Sequence, residues 1–584
     1  MSSAQQPLII KDFDQGIGAS PHKGFGLFRN ADIESKPGSV MVAKQPGTLF
    51  HGIKTQTFTA DAGTDICTTS TDVEATDINY GGAAVYFTTT DTLPAGLSIN
   101  TVYFLIKTTD RTFQVATSYK NAVGSASGTE INITDAGTGV HTINQVPIGI
   151  IRHIVRDYRT FTNFFIDSNG RVWFTSGTVA YLLYNSALDT GAAALTQASG
   201  TGLSITPFSS TTATFLFAFR NNAIDVVDVF GNTDIEEPSW TNGWQTMNTT
   251  GGSSNSHEAI EAQDAAIYFC DDRFIGSIIE KVDQIFDPSN AATYTYNNQA
   301  LDLPPREIAQ CLEELGTNLL IGGNSFNKIY PWNRVAGSFN LPMDVSEFRI
   351  KKMKNIGGTV YILAGSWGNI YLTQGSYVRH FKKIPAYVTN EVGSLQANPI
   401  TWGGIGSLNG TLIFGMGVLT AGNSGLYRLW PDGRLTIDNV PSIGAANVTA
   451  IFSNDDFYTM GYDGGADIFN STKYGRVRYE NLETVIQSPL YKVATEVQKG
   501  TYSHAEVVFS KQPAYGKIEL SYREETDGSF TEIDTILLSN LENKIWMLPE
   551  IGLTDIENIQ IQVRMSDYNI GSIEVELAEI RLIP

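Results

Sequence analysis

Cysteine is scarce in this 584-residue chain, with only Cys67, Cys270 and Cys311 and no CxxC pair. An odd number without ligand spacing excludes a disulfide framework and a zinc site; it predicts buried thiols that behave as small hydrophobes. Long apolar runs are missing too. No stretch approaches the ~18 residues of a spanning helix, and MSSAQQPLIIKDF lacks the basic and apolar regions of a secretory signal. The expectation is a chain with no membrane-spanning segment that assembles in a reducing cytoplasm. Charge is thin at 17%, and cations are outnumbered 39 to 60, for a net charge of −21. That balance argues against a surface built to grip nucleic acid. Sustained helical periodicity is absent as well; only Ser256–Ala266 and Pro305–Leu315 read as short helices.

What is abundant is glycine (55) and the pair Tyr (25) and Phe (30), a mixture that favours strands and tight turns. The fold class read from it is all-β. Apolar runs followed by Gly/Asn turns recur along the chain, as in NLLIGGNSFNKIYPW at 318 and VYILAGSWGNIYL at 360. Their starts, Phe164, Phe215, Ile267, Leu319, Val360, Leu412 and Phe457, are separated by 51, 52, 52, 41, 52 and 45 residues. Each interval has room for about four short strands, and periods of ~40–50 residues point to propeller blades. A six- or seven-bladed β-propeller is the expectation, because one blade cannot bury both faces of its sheet alone.

Composition divides the chain further. Residues 1–50 read as an N-terminal segment with first propeller strands around 38–50, and residues 51–147, rich in Thr, Ala and Gly, as an inserted small β-domain projecting as its own lobe. Residues 148–475 read as the propeller. From 476 to 584, alternating strands such as KIELSYRE and IQIQVRM predict a C-terminal antiparallel β-sandwich.

The chemical motifs fail at defining positions, which predicts no enzyme and no cofactor. HEAIE at His257–Glu261 lacks the second histidine of a zinc helix and reads as a polar turn. GIGASP at Gly16 breaks the dinucleotide fingerprint at its last position. IDSNGRVW separates Asp167 from Gly170 by two residues, so Asp167, Asn169 and Gly170 read as a hairpin turn with Trp173 in the core. The turns at Asp271–Asp272, Asp455–Asp456 and Asp463 suit Ca²⁺ in charge, but turn chemistry accounts for them. Two basic stretches, Arg349, Lys351, Lys352 and Lys354 in FRIKKMK and Arg379, Lys382 and Lys383 in VRHFKK, form a candidate protein-contact patch. Protection of an edge strand by lysine explains them equally well. Trp240 and Trp244 in WTNGWQTMN are candidate sugar-stacking rings, with burial in a core as the alternative.

KDFDQGIGASPHKGFGLFRNADIESKPGSVMVAKQP at 11–46, with its GF…RNADI…PG pattern, resembles the N-terminal signature of tailed-bacteriophage structural proteins. The insert is similar to a small β-module of phage virion proteins. The ending, from VIQSPLYKVATEVQKG to EIRLIP, resembles the sandwich that follows such propellers. The resemblance covers most of the chain and implies a virion part. Among short-tailed phages it is most like the tail nozzle, a ring, sixfold in that family, beneath portal and adaptor that retains and then conducts the genome. The partners it implies are other copies of the chain, the adaptor, and tail fibres or spikes, with DNA passing nearby without tight binding. No gate residue of a nozzle can be aligned here. A receptor-binding or tail-tip protein recognising host glycan is the alternative.

Overall fold

The computed structural model describes residues 6–11, 13, 17, 27–29, 31–32, 40–42, 47–49, 55–73, 81–123, 130–157, 159, 162–176, 179–186, 189, 204–209, 213–220, 223–230, 235–248, 257–335, 337–385 and 388. Further on it describes 399–418, 423–439, 446–454, 457–463, 465–470, 483–494, 499–510, 516–525, 529–537, 543–566 and 576–584. The chain is all-β, and among the described residues seven antiparallel four-stranded units follow one another. They occupy residues 151–182, 204–246, 259–302, 309–344, 350–383, 400–439 and 450–470, the last completed by Gly47–Leu49. These are units 1 to 7 below.

Each repeated apolar run falls on the second strand of a unit, for example Asn163–Asp167 in unit 1 and Asn318–Gly323 in unit 4. Those strands are buried on both faces, which is why they read as continuous apolar runs rather than alternations. The first strands are Ile151–Arg156, Ser204–Ser209, Ala259–Ala262, Ala309–Leu315, Ile350–Ile356, Ile400–Leu408 and Ala450–Ser453. Each neighbours the next, and the last neighbours the first, closing a ring. Two of them lie where short helices are predicted: Ala259–Ala262 falls within 256–266, and Ala309–Leu315 within 305–315. Tertiary pairing overrides the weak helical spacing at both places.

Residues 56–145 form a closed six-stranded barrel, with Tyr119–Val123 as a short helix on it. It does not stand away from the ring as a projecting lobe. The Tyr119 ring meets Phe174 and Tyr181 of unit 1 at centroid distances of 5.2 and 5.0 Å, and Phe104 meets Tyr184 edge-on at 5.5 Å. Two hydrophobic clusters run unbroken from barrel to ring.

Beyond the ring, two sheets enclose one core. One contains Leu8–Ile10, Ala31–Asp32, Val40–Val42, Glu576–Ile583, Gly500–Phe509 and Ile545–Ile556. The other runs through Leu27–Arg29, Glu483–Gln487, Asn558–Ser566, Lys517–Arg523 and Thr531–Leu537. It is continuous with unit 6, because Leu27–Arg29 pairs in parallel with the outer strand Leu435–Asn439 and antiparallel with Glu483–Gln487. The strand Val40–Val42, expected in the ring, pairs instead with Glu576–Ile583. Among the described residues of the 38–50 stretch, Gly47–Leu49 alone reaches the ring, where it pairs with Gly465–Asn470.

Candidate functional site at the ring axis

The first strands carry the charged residues that their position next to apolar second strands makes unexpected. Lys352, on the first strand of unit 5, pairs with Glu258 at the entry to unit 3, reaching past unit 4 across the ring interior. Their side chains are 28% and 12% exposed, so the pair is enclosed but not dry. Burial opposes the Lys352 charge, yet the Glu258 carboxylate outweighs it and holds the ammonium above the ordinary lysine range.

Beside this pair, His153 of unit 1 is held by unit 2. Its Nδ1 accepts the Ile205 N–H at 3.2 Å and lies 3.0 Å from Ser204 Oγ, while the same Oγ accepts the Ala259 N–H of unit 3 at 3.2 Å. Burial, reinforced by the Lys352 charge, pushes the imidazole down to about 3, so it is neutral. Further along the first strands, Glu313 accepts the Asn355 N–H at 2.9 Å and faces Lys354 at 3.8 Å. Burial raises its carboxyl to about 7, against the pull of Lys354 and the Asn355 N–H. Glu261 is raised by burial as well and accepts the Ser209 N–H at 3.2 Å. Units 1, 2, 3, 4 and 5 therefore meet at the axis through polar contacts, with charges held in pairs.

This geometry divides the candidate basic patch. Lys352 and Lys354 are spent inside the chain on Glu258 and Glu313, and burial lowers the Lys351 ammonium. Arg349 precedes the strand in a left-handed turn, φ 64°. Arg379, Lys382 and Lys383 stand on Val378–Lys383, the outermost strand of the same unit, where Lys382 donates to the Gly433 carbonyl of unit 6 at 2.8 Å. The two stretches thus sit on opposite edges of one sheet and make no single surface, because first and fourth strands are separated by two others.

The tryptophan pair is likewise drawn inward. Trp244 donates its Nε1–H to the Pro288 carbonyl at 2.7 Å and packs among Phe217, Phe286 and Tyr294. Trp240 packs against the hydrophobic cluster shared by barrel and ring, with Arg220 near its face at 5.9 Å. Neither ring is a free stacking platform.

Of the acidic turns, Asp167 anchors its own hairpin and Asp271 ties unit 3 to unit 2. Asp167 accepts the N–H groups of Asn169, Arg171 and Gly149 at 2.8, 3.0 and 3.1 Å and the Trp173 indole N–H at 3.0 Å, with Gly170 at φ 78° and Trp173 fully buried. Asp271 accepts the Asn248 N–H at 2.5 Å. Asp463 is exposed, and Asp455–Asp456 lie outside the described residues. His257 and Glu258 form no polar turn; they lead into the first strand of unit 3, where His257 Nδ1 lies 3.1 Å from the Cys270 carbonyl. Cys67, Cys270 and Cys311 are free and buried, and burial raises every thiol, that of Cys67 to about 12.

Of the axial residues, His153 and Glu313 went unmarked in the sequence, while Glu258 and Glu261 were read only as part of the HEAIE turn. Their signal is local: RHIVR, HEAIEA and QCLEEL each place charge in a strand immediately before an apolar run.

No protein-family model matches the chain, and no curated protein matches it. Solved structures that resemble it include the computationally designed Ika8 protein, at 11% identity and TM-score 0.33 over 55% of this chain and 96% of that one. The WD40 β-propeller domain of Doa1 aligns at 12% identity and TM-score 0.37, over 56% and 95%. A catalytically inactive virginiamycin B lyase from Staphylococcus aureus, solved with quinupristin, aligns at 12% and 0.34, over 62% and 95%. At these values no residue or activity is carried across. Among the described residues, no helix is long and apolar enough to cross a membrane.

Proposed function

We propose that this chain is a seven-bladed β-propeller subunit of a bacteriophage tail, most like the nozzle ring below portal and adaptor that retains and then conducts the genome. The carrying observation is how the N-terminal segment is woven in. The stretch that resembles the phage signature places Leu27–Arg29 between unit 6 and the terminal core, and Ala31–Asp32 and Val40–Val42 in the terminal sheet. Just beyond it, Gly47–Leu49 completes unit 7. Ring and terminal core are thereby locked to each other by hydrogen-bonded strands rather than by a linker. A conduit that must hold shape while a genome passes needs that rigidity.

Charge supports the same reading. Lysine contacts with phosphate slow DNA, since each must be broken as the duplex advances. A chain of net charge −21, with Lys352 paired to Glu258 and Lys354 turned toward Glu313, offers few such contacts. The role is structural rather than enzymatic, and the partners are copies of the chain in a ring of six, the adaptor, and fibres or spikes. Antibody against the chain should label the tail of virus particles, next to the portal vertex, in electron micrographs. Label confined to fibre tips would favour the receptor-binding alternative, and unlabelled particles would end the proposal.

A further inference from the structure

The cations on the outer strands of the ring are gathered in one place. Val378–Lys383 of unit 5 carries Arg379, Lys382 and Lys383. The outer strands of the other six units, Val179–Leu182, Trp240–Thr246, Tyr294–Asp302, Met343–Asp344, Leu435–Asn439 and Gly47–Leu49, carry no Lys or Arg. Lysine on a sheet edge can serve only to keep other strands away. Yet Trp240–Thr246 and Tyr294–Asp302 are longer, also end their sheets, and do without it. Edge protection therefore leaves the cationic edge of unit 5 unexplained. Lys382 is held by the Gly433 carbonyl, but Arg379 and Lys383 are exposed and join no ion pair among the described residues.

A complementary edge lies on the same chain. Thr531–Leu537 ends the terminal sheet that continues from unit 6, and among the described residues it pairs on one side only, with Lys517–Arg523. Glu532 and Asp534 on it are exposed. Tyr522 lies opposite Thr531, which brings the exposed Glu524 and Glu525 to the same end. None of these four carboxylates joins an ion pair among the described residues. Of the adjacent cations, Arg523 turns to Gln560 Oε1 at 2.8 Å and to the Phe530 ring, and Lys517 stands across from Leu537 at the other end. Both edges are polarised along their length. The unit 5 strand starts beside Tyr377, 67% exposed, and ends in Lys382 and Lys383; the acidic strand starts at Thr531 and Glu532 and ends in Leu537, 49% exposed. Laid antiparallel, Tyr377 faces Leu537 and the lysine end faces the carboxylates. Laid parallel, both matches are lost.

We propose that these two edges join neighbouring copies of the chain, with Val378–Lys383 of one copy antiparallel to Thr531–Leu537 of the next. Free backbone groups at a sheet edge supply affinity in such strand addition, and opposite charges set partner and direction. A foreign acidic protein could meet the cations but would leave the acidic edge unanswered, whereas one contact between copies satisfies both. The two patches differ, so the contact is heterologous, and its repetition closes a ring or runs on as a filament. The inference rests on the proposal that the chain works as a ring of copies, and it names the surfaces that join them.

The test is sedimentation velocity of the full chain at low salt, where screening is weakest. The wild type should sediment as oligomers at micromolar concentration, and R379E/K383E and E532K/D534K should each lose about tenfold or more in association. Mixed in equal amounts, the two variants should assemble again, because the acidic unit 5 edge of one meets the lysine edge of the other. All four positions are exposed, so both variants should melt with the wild type. Carbodiimide cross-linking of wild type mixed with an isotope-labelled copy reads the contact without substitution, and should join Lys383 to Glu532 or Asp534 between copies. A wild type that stays single, variants that associate like it, or a mixture that stays single overturns the interface. Charge variants that lose association in a chain that labels no particle tails would keep this interface and end the tail reading. Labelled tails with unaffected variants would do the reverse.

Discussion

Lys352 and Glu258 join units 5 and 3 of the ring by an ion pair, although those units share no hydrogen-bonded strand. Removing one partner strands the other charge in an enclosed space. K352M or E258Q should each destabilise the fold by about 3 kcal/mol, the low end for a buried pair because more than a quarter of Lys352 stays accessible. The double variant K352M/E258M should recover most of the loss. Thermal or denaturant unfolding of the three variants measures it, and additive losses in the double variant would refute the pairing.

Glu313 gives the ring a pH dependence of defined sign. Its carboxyl is raised from 4.5 to about 7, burial being the main cause. Between those values the folded state binds the proton more tightly than the unfolded state, so this group's contribution to stability falls as pH rises through the window and is level above it. E313Q keeps an acceptor for the Asn355 N–H without the charge. It should match the wild type near pH 4.5 and exceed it in melting temperature at pH 8. A difference that does not change with pH would contradict the assignment.

His153 should act in the opposite sense. Its folded value of about 3 lies below the ordinary 6.5, so the unfolded state takes up the proton first and stability is lost as pH falls below 6.5. H153Q, which can still accept from the Ile205 N–H, should flatten the acid limb of the stability profile. An acid limb as steep as that of the wild type would show that another group titrates there.

Deleting 56–145 with a short Gly/Ser linker should leave the ring folded, since no ring strand lies within those residues. It also strips the covers from Phe174, Tyr181 and Tyr184. The deletion variant should therefore bind a hydrophobic dye that the full chain does not, with the circular dichroism of a β protein retained. Loss of cooperative unfolding would make the barrel an obligatory part of the ring.

Duplex DNA should not be retained. In mobility-shift titrations at low salt, where screening is weakest, the chain should leave DNA unshifted at micromolar concentration. Tight binding would contradict a conduit built from a chain of net charge −21 whose Lys352 and Lys354 face Glu258 and Glu313 within it.

The sequence by itself determined the class and the beat. Runs beginning at Phe164, Phe215, Ile267, Leu319, Val360, Leu412 and Phe457 mark second strands, because a strand buried on both faces must be apolar throughout. Asp167 with Gly170 was equally legible, since turn geometry is written in adjacent residues. What the tertiary structure alone decided were relations between distant residues. Lys352 and Glu258 are 94 positions apart, and only closure of the ring turns a basic stretch and a glutamate of the HEAIE motif into one pair. Trp244 reads in sequence as either a sugar-stacking ring or a core residue, and Phe286 and Tyr294 of the next unit decide for the core. Val40–Val42 reads as any short apolar strand, and its partner Glu576–Ile583 lies at the far end of the chain. Local pattern fixes what a segment can become, whereas pairing is settled by which apolar faces the whole chain can bury at once.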